Sequence, residues 1–262
     1  MPPIVIDSSP RFHPPRLRQG FTTRHGGVSD PPFHSLNLAF HVGDNPEAVR
    51  ENRRRAANEL GFLLRRMVCA EQIHGHRVAV VTEADAGRGA LDLESAVPGT
   101  DALVTDVPGI LLALFFADCL PVFLTNADAT VIAIAHAGWR GIVADVVENT
   151  VDAMNRFPDS SPDRLRAAIG PCIGVESFEV GEEVAVRFPP EVVVRSPRTG
   201  KPHVDLAAAV RRRLEAIGIP PEFIDPGPDG TEDTFSRPDR YFSHRRDQGK
   251  TGRMAGMIGI LP

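Results

Sequence analysis

Cysteine is scarce in this chain, with three among 262 residues, at positions 69, 119 and 172. An odd number with no Cys-x-x-Cys pair argues against a disulfide framework and predicts a reducing, cytoplasmic setting. Long apolar runs are missing as well. The longest wholly apolar one, residues 110–117, falls far short of the roughly 20 residues of a membrane-spanning helix, so no membrane partner is expected. A basic excess is also absent: the net charge is −5, which gives no electrostatic ground for a nucleic-acid partner. The opening MPPIVIDSSPRFHPP has no basic start followed by an apolar core, so it does not read as a signal peptide. No stretch resembles a linker and no repeat period is visible. The cluster Arg53-Arg54-Arg55, beside Glu51 and Glu59, reads as a solvated helix face.

What is present suits a soluble globular protein with an ordinary core, 42% apolar and 24% charged. Asp44-Asn45-Pro46-Glu47 opens a helix that Gly61 closes. Helical spacing predicts a second helix from Ile142 to Met154, and a third from an Asp205 cap to Gly218. Apolar runs predict strands over 78–81, 102–105, 110–116, 122–125, 131–135, 192–194 and 254–260. The interleaving predicts an α/β (α+β) class with mixed sheets, one domain spanning residues 1–262, and a surface loop at 225–230.

One strand breaks in an unusual way. FFADCLPVF, residues 115–123, interrupts a core run with an acid, a thiol and a proline. Cys119 could be a buried thiol that packs as a small hydrophobe. It could also have a partner. The short break at residues 126–129 predicts a hairpin, and straight pairing of Thr125 with Thr130 sets Cys119 opposite His136. Opposed side chains share a face about 4.5–5.5 Å apart, within reach of one metal ion or of a nucleophile–base dyad. His74, in Glu71-Gln72-Ile73-His74-Gly75-His76, offers a third donor. Two imidazoles and a thiolate fit the three-ligand pattern of catalytic zinc, although no local zinc motif exists.

Longer motifs carry a resemblance. Thr22-Thr-Arg-His-Gly-Gly-Val-Ser29, Ser35-Leu-Asn-Leu38, Asn52-Arg-Arg54, Gln72-Ile-His-Gly75, Ala117-Asp-Cys-Leu-Pro121, His136-Ala-Gly-Trp-Arg-Gly141, Ile169-Gly-Pro-Cys-Ile-Gly174 and Phe242-Ser-His-Arg-Arg-Asp247 resemble signatures of the laccase-like multicopper polyphenol oxidase family. That family is also known as peptidoglycan editing factor or purine nucleoside phosphorylase, and the likeness runs from about Gly20 to the end, leaving the first residues peripheral. The resemblance implies one domain with α-β-β-α layering and zinc held by His74, Cys119 and His136. It implies phosphorolysis of adenosine, inosine and methylthioadenosine to free base and pentose 1-phosphate, with deamination of adenosine. Ala39, His244 and Asp233-Thr234 depart from the family pattern.

Within that reading Cys119 and His136 are the catalytic candidates. Asp118 adjoins them as a proton carrier, although strand neighbours face opposite ways and a structural hydrogen-bonding role suits it equally. Arg245 and Arg246, with Arg24, have the forked donors suited to phosphate, and Asn37 and Gln72 suit base or ribose. The glycines around Trp139-Arg140 feed a helix whose N-terminus favours anions. His76 is a weaker candidate for an extra ligand, an exposed or capping role suiting it better, His25 is a weaker candidate for the pocket lining, and Cys172, among small residues, reads as a buried thiol. A copper oxidase fails on ligand count, with nine histidines and a single His-x-His pair, so copper is expected only as a substitute at the zinc site. Two other functions compete: a hydrolase that removes a misincorporated amino acid from a wall precursor, and a metal-stabilised binding protein.

Overall fold

The computed structural model describes residues 4, 6–9, 14–226 and 232–262; most of the loop expected at 225–230 lies outside them. Before the first long loop come strands β1 (Ile6–Asp7) and β2 (Leu17–Thr22), then helix α1 (Pro46–Glu59). Strands β3 (Met67–Cys69), β4 (Val78–Val80), β5 (Ala102–Thr105), β6 (Leu111–Phe116), β7 (Leu120–Asn126) and β8 (Ile132–Ala137) follow. Helices α2 (Trp139–Val143) and α3 (Val146–Met154) lead to β9 (Leu165–Ile169) and α4 (Glu182–Ala185). The chain ends through β10 (Val193–Arg195), β11 (Pro202–Val204), α5 (Leu206–Ile217), β12 (Ile224–Asp225) and β13 (Met254–Ile260). None of the described helices is long and apolar enough to cross a membrane.

Two mixed sheets organise these elements. One runs β1-β2-β13-β6-β3, the other β12-β9-β7-β8-β5-β4, and β10-β11 form a separate pair. Three apolar cores give the layers. Leu36, Ala56, Phe62, Leu111 and Met257 join α1 to the outer face of the first sheet. Phe21, Leu112, Phe116, Phe123, Ile134 and Ile258 fill the space between the sheets. Val122, Ala135, Val147, Val151 and Leu214 join α3 and α5 to the outer face of the second sheet. The layering is therefore α-β-β-α, as the resemblance implies. β6 and β7 are buried throughout because each is covered on both faces, which is why their sequences show no alternation.

The capping signals act where they were read. Asn45 accepts from Glu47 N at 2.9 Å to open α1, and Asp205 accepts from Ala208 N at 2.8 Å to open α5. Three expectations need correction. The helix predicted from Ile142 to Met154 starts earlier, at Trp139, and breaks in two where Asp145 turns left-handed at φ 66°. The arginine cluster is not uniformly solvated, because Arg53 lies on the buried face of α1 and is only 2% exposed. Its guanidinium donates to Leu38 O at 2.7 Å and Ala90 O at 3.1 Å, between the rings of Phe40 and Phe115. Finally, the hairpin pairs Thr125 with Ile132 and Pro121 with His136, two residues away from the predicted register. Asn126 causes the slip. Its Oδ1 accepts from Thr130 N at 2.9 Å and Val131 N at 3.2 Å, so the turn closes one residue later on each strand.

Candidate active site

The break in FFADCLPVF is the crossover between the sheets, since β6 belongs to the first and β7 to the second. Asp118 makes the turn with φ 83°, a left-handed conformation that a short polar side chain tolerates better than a bulky one. Its carboxylate braces the corner by accepting from Thr234 Oγ1 at 2.8 Å and from Arg245 N at 2.7 Å. Cys119 therefore sits just ahead of β7 and not within it. The register slip leaves the meeting intact, because a shift of two residues keeps every side chain on its original face. Cys119 and His136 still converge at the same end of the hairpin, and His74 reaches them from the loop between β3 and β4. The donor atoms of His74, Cys119 and His136 lie within 4.8 Å of one another, the one such group among the described residues.

Asp101 organises this cluster, and sequence reasoning missed it. The residue is fully buried just before β5. Its carboxylate accepts from Ile73 N at 3.2 Å, His74 N at 3.0 Å and Gly75 N at 2.7 Å, which holds the His74 loop, where His74 itself adopts φ 61°. The same carboxylate lies 2.8 Å from His136 Nδ1. A hydrogen bond there fixes the ring and leaves Nε2 for the cluster, the arrangement that orients metal-binding histidines. The only sequence signal was an acid placed directly before an apolar strand.

Charge in the cluster follows from these contacts. Burial alone would raise the Cys119 thiol, but the His136 charge and hydrogen bonds from both imidazoles bring it down to about 6. Burial likewise disfavours an imidazolium at His136, yet Cys119 and Asp101 raise it to about 9. Without a metal, Cys119 is drawn toward thiolate and His136 toward imidazolium, so a metal ion binding here would displace the proton from His136 Nε2.

The three donors line a cavity of about 430 Å³ with Gln72, Phe115, Asp118, Trp139, Arg140, Phe178, His244, Arg245, Arg253 and His41. Of the predicted substrate residues, Gln72 and Arg245 are present. Gln72 is pinned by its amide to Phe115, accepting from N at 2.8 Å and donating to O at 2.9 Å. Arg245 donates to Glu179 O at 2.9 Å and lies over the Phe178 ring. Arg24, Asn37 and Arg246 are outside the lining of this cavity. Arg24 donates to His34 O and Pro238 O. Asn37 is fully buried, bonded to Ala39 and Asp44. Arg246 pairs with Asp247 and donates to the carbonyls of Thr234, Phe235 and Tyr241. His25 and His76 are exposed, and neither they nor Cys172 lines this cavity. His41, Arg253, Trp139 and Phe178 went unmarked as pocket residues because distant segments bring them together. The imidazole of His41, desolvated and close to the Arg253 and Arg53 cations, is pushed down to about 4.

A two-sheet sandwich with helices outside and a Cys–His–His cluster at a strand crossover is a recognisable combination. Residues 18–261 match the family described as multi-copper polyphenol oxidoreductase laccase. The chain is 42% identical over 246 residues to purine nucleoside phosphorylase YlmD of Geobacillus stearothermophilus, covering 92% of this chain and 89% of that one. It is 39% identical over 209 residues to adenosine deaminase RL5 from an unknown prokaryotic organism, covering 77% and 79%. The crystal structure of the Geobacillus stearothermophilus YlmD superposes with a TM-score of 0.89 at 39% identity, over 97% of this chain and 94% of that one. The chain thus belongs to the multi-copper polyphenol oxidoreductase laccase family.

Proposed function

We propose that this protein is a zinc-dependent purine nucleoside phosphorylase that also deaminates adenosine, acting as a single domain in the cytoplasm on nucleosides and phosphate. The observation that carries the reading is the cluster of His74, Cys119 and His136 on the wall of a nucleoside-sized cavity. The donor set fits zinc: two imidazoles and a thiol held toward thiolate, with a buried carboxylate orienting one ring, and one proton to be released from His136 on binding. Copper could bind the same donors as a substitute. When bound at these three residues, zinc supplies Lewis acidity and lowers the pKa of water to about 7.

The chain's own groups do the rest. Asp101 holds His136 and the His74 loop in place, and the corner braced by Asp118 aims Cys119. Asp118 thus serves as a positioning residue, both its oxygens being engaged. Trp139 and Phe178 offer flat apolar surfaces to a purine, and Arg245 and Gln72 border it. In phosphorolysis a phosphate oxygen bonds to the anomeric carbon as the glycosidic C–N bond breaks. The bonding pair leaves with the base nitrogen, and the proton carried by hydrogen phosphate ends on the base.

The test is base release from inosine by zinc-loaded protein with and without phosphate. Phosphate-dependent appearance of hypoxanthine is expected; none at any phosphate concentration overturns the reading. A second reading, a hydrolase editing wall precursors, draws on a wide cavity of about 640 Å³ that shares Trp139, Phe178 and Arg245 with the first. Release of an amino acid from a muramoyl peptide substrate, without base release from inosine, would favour it.

A further inference from the structure

The cavity that holds the cluster has two dissimilar ends. Trp139, Phe178 and Arg245 form one, and they also line the wide cavity. At the other, His41, Gln72 and Phe115 also line a further cavity of about 270 Å³ with Arg53 on its wall. Two guanidiniums, those of Arg253 and Arg53, lie toward this end. Arg253 is the strongest charged neighbour of His41 and also feels Cys119 and Asp118, which places it beside the cluster. Arg53 stands behind His41 with its positive charge. None of the three has a carboxylate ion pair among the described residues. Glu71 lines the further cavity too, with one oxygen accepting from Gly99 N at 3.1 Å.

Arg253 differs from the other arginines in what it has left to give. Its Nη1 donates to Thr251 O at 2.8 Å and Gly252 O at 3.0 Å, and its backbone N to Asn37 Oδ1 at 2.9 Å, so the side chain is anchored. Its Nε and Nη2 have no protein acceptor among the described residues. Arg24 and Arg246, by contrast, are committed to carbonyls or to Asp247, and Arg245 donates to Glu179 O and lies over the Phe178 ring at the other end. An anchored guanidinium with donors to spare, next to an imidazole with no hydrogen-bond partner among the described residues, is suited to a tetrahedral oxyanion.

We infer that Arg253 and His41 hold the attacking inorganic phosphate at their end of the pocket, with the purine at the Trp139–Phe178 end and the ribose between them. This rests on the phosphorylase reading above. It deepens that reading by giving the pocket a direction and by assigning phosphate to residues other than the Arg245-Arg246 pair.

The experiment compares zinc-loaded wild type with Arg253→Gln, Arg253→Lys, His41→Gln and Arg245→Gln, measuring KM for phosphate and for inosine separately. Loss of a charge-assisted contact predicts a rise of about tenfold to a hundredfold in phosphate KM relative to inosine KM for Arg253→Gln. Arg253→Lys should recover part of it, His41→Gln should shift the same ratio, and Arg245→Gln should act mainly on inosine. An unchanged ratio in Arg253→Gln and His41→Gln overturns the inference while leaving the phosphorylase reading intact. Should wild type release no base, that reading fails, and calorimetric titration of the zinc-loaded proteins with inorganic phosphate decides the site. Phosphate bound by wild type and lost in a folded Arg253→Gln supports it; equal binding, or none by wild type, overturns it.

Discussion

At the scale of single residues, Cys119 and Asp101 concentrate the chemistry. The cysteines should differ in reactivity because their surroundings differ. His136 and His74 hold the Cys119 thiol down near 6, whereas burial pushes the thiols of Cys69 and Cys172 up. A thiol with a lowered pKa is thiolate above that value and is protonated as pH falls through it. In chelator-treated protein, iodoacetamide should label Cys119 selectively at pH 7, with a rate that falls as the pH drops through about 6; labelling that appears only near pH 9 would contradict the pairing with His136. Cys119→Ala should abolish stoichiometric zinc, checked by elemental analysis, while circular dichroism stays native. Asp101→Asn should weaken zinc binding by about 10- to 100-fold, because the His136 ring and the His74 loop both lose their anchor. Competition with a fluorescent chelator would measure it.

At the scale of elements, the site depends on two chain segments approaching closely, and glycine permits it. A Cβ added at Gly138, between β8 and α2, would lie 3.0 Å from Cys119 Sγ and 3.3 Å from His74 Cδ2. Gly138→Ala should therefore lower zinc affinity with little loss of stability, a split readable by zinc titration alongside thermal melting. Gly259 in β13 is the opposite case. A Cβ there would press on Phe62 and sit 2.9 Å from Ile110 O, so Gly259→Ala should destabilise the first sheet by about 1–3 kcal/mol, seen in urea unfolding. Arg53 shows how a helix face can mislead. Between Asn52 and Arg54 it looked solvated, yet its removal would leave the carbonyls of Leu38 and Ala90 without their donor.

At the scale of the whole molecule, a metal held by His74, Cys119 and His136 would tie separate layers together. His74 comes from a loop leaving the first sheet, Cys119 from the crossover, and His136 from the second sheet. A ligand that binds only the folded chain adds stability by mass action, about 4 kcal/mol at 1,000 times Kd. For a chain of this size that is on the order of a 10 °C rise in Tm. Scanning calorimetry with zinc and with chelator should show this difference, and Cys119→Ala should remove it. Equal melting temperatures with and without zinc would mean that the three donors do not share an ion.

Local rules were enough to read much of the architecture. Asn45 and Asp205 as caps, β5 and β13 at their observed bounds, and the α/β alternation all rest on interactions within a few residues of one another. The convergence of Cys119 and His136 could be read as well, because strand alternation survives a slip of two residues even though the predicted register did not. The tertiary structure alone decided the rest. Asp101 lies far in sequence from the loop at Ile73, His74 and Gly75 that it gathers, Arg53 is buried by a sheet whose strands come from across the chain, and Arg253 faces His41 only after β13 is laid between β2 and β6. Patterns of periodicity report which side of an element is buried; which distant group lies against it depends on how the layers stack.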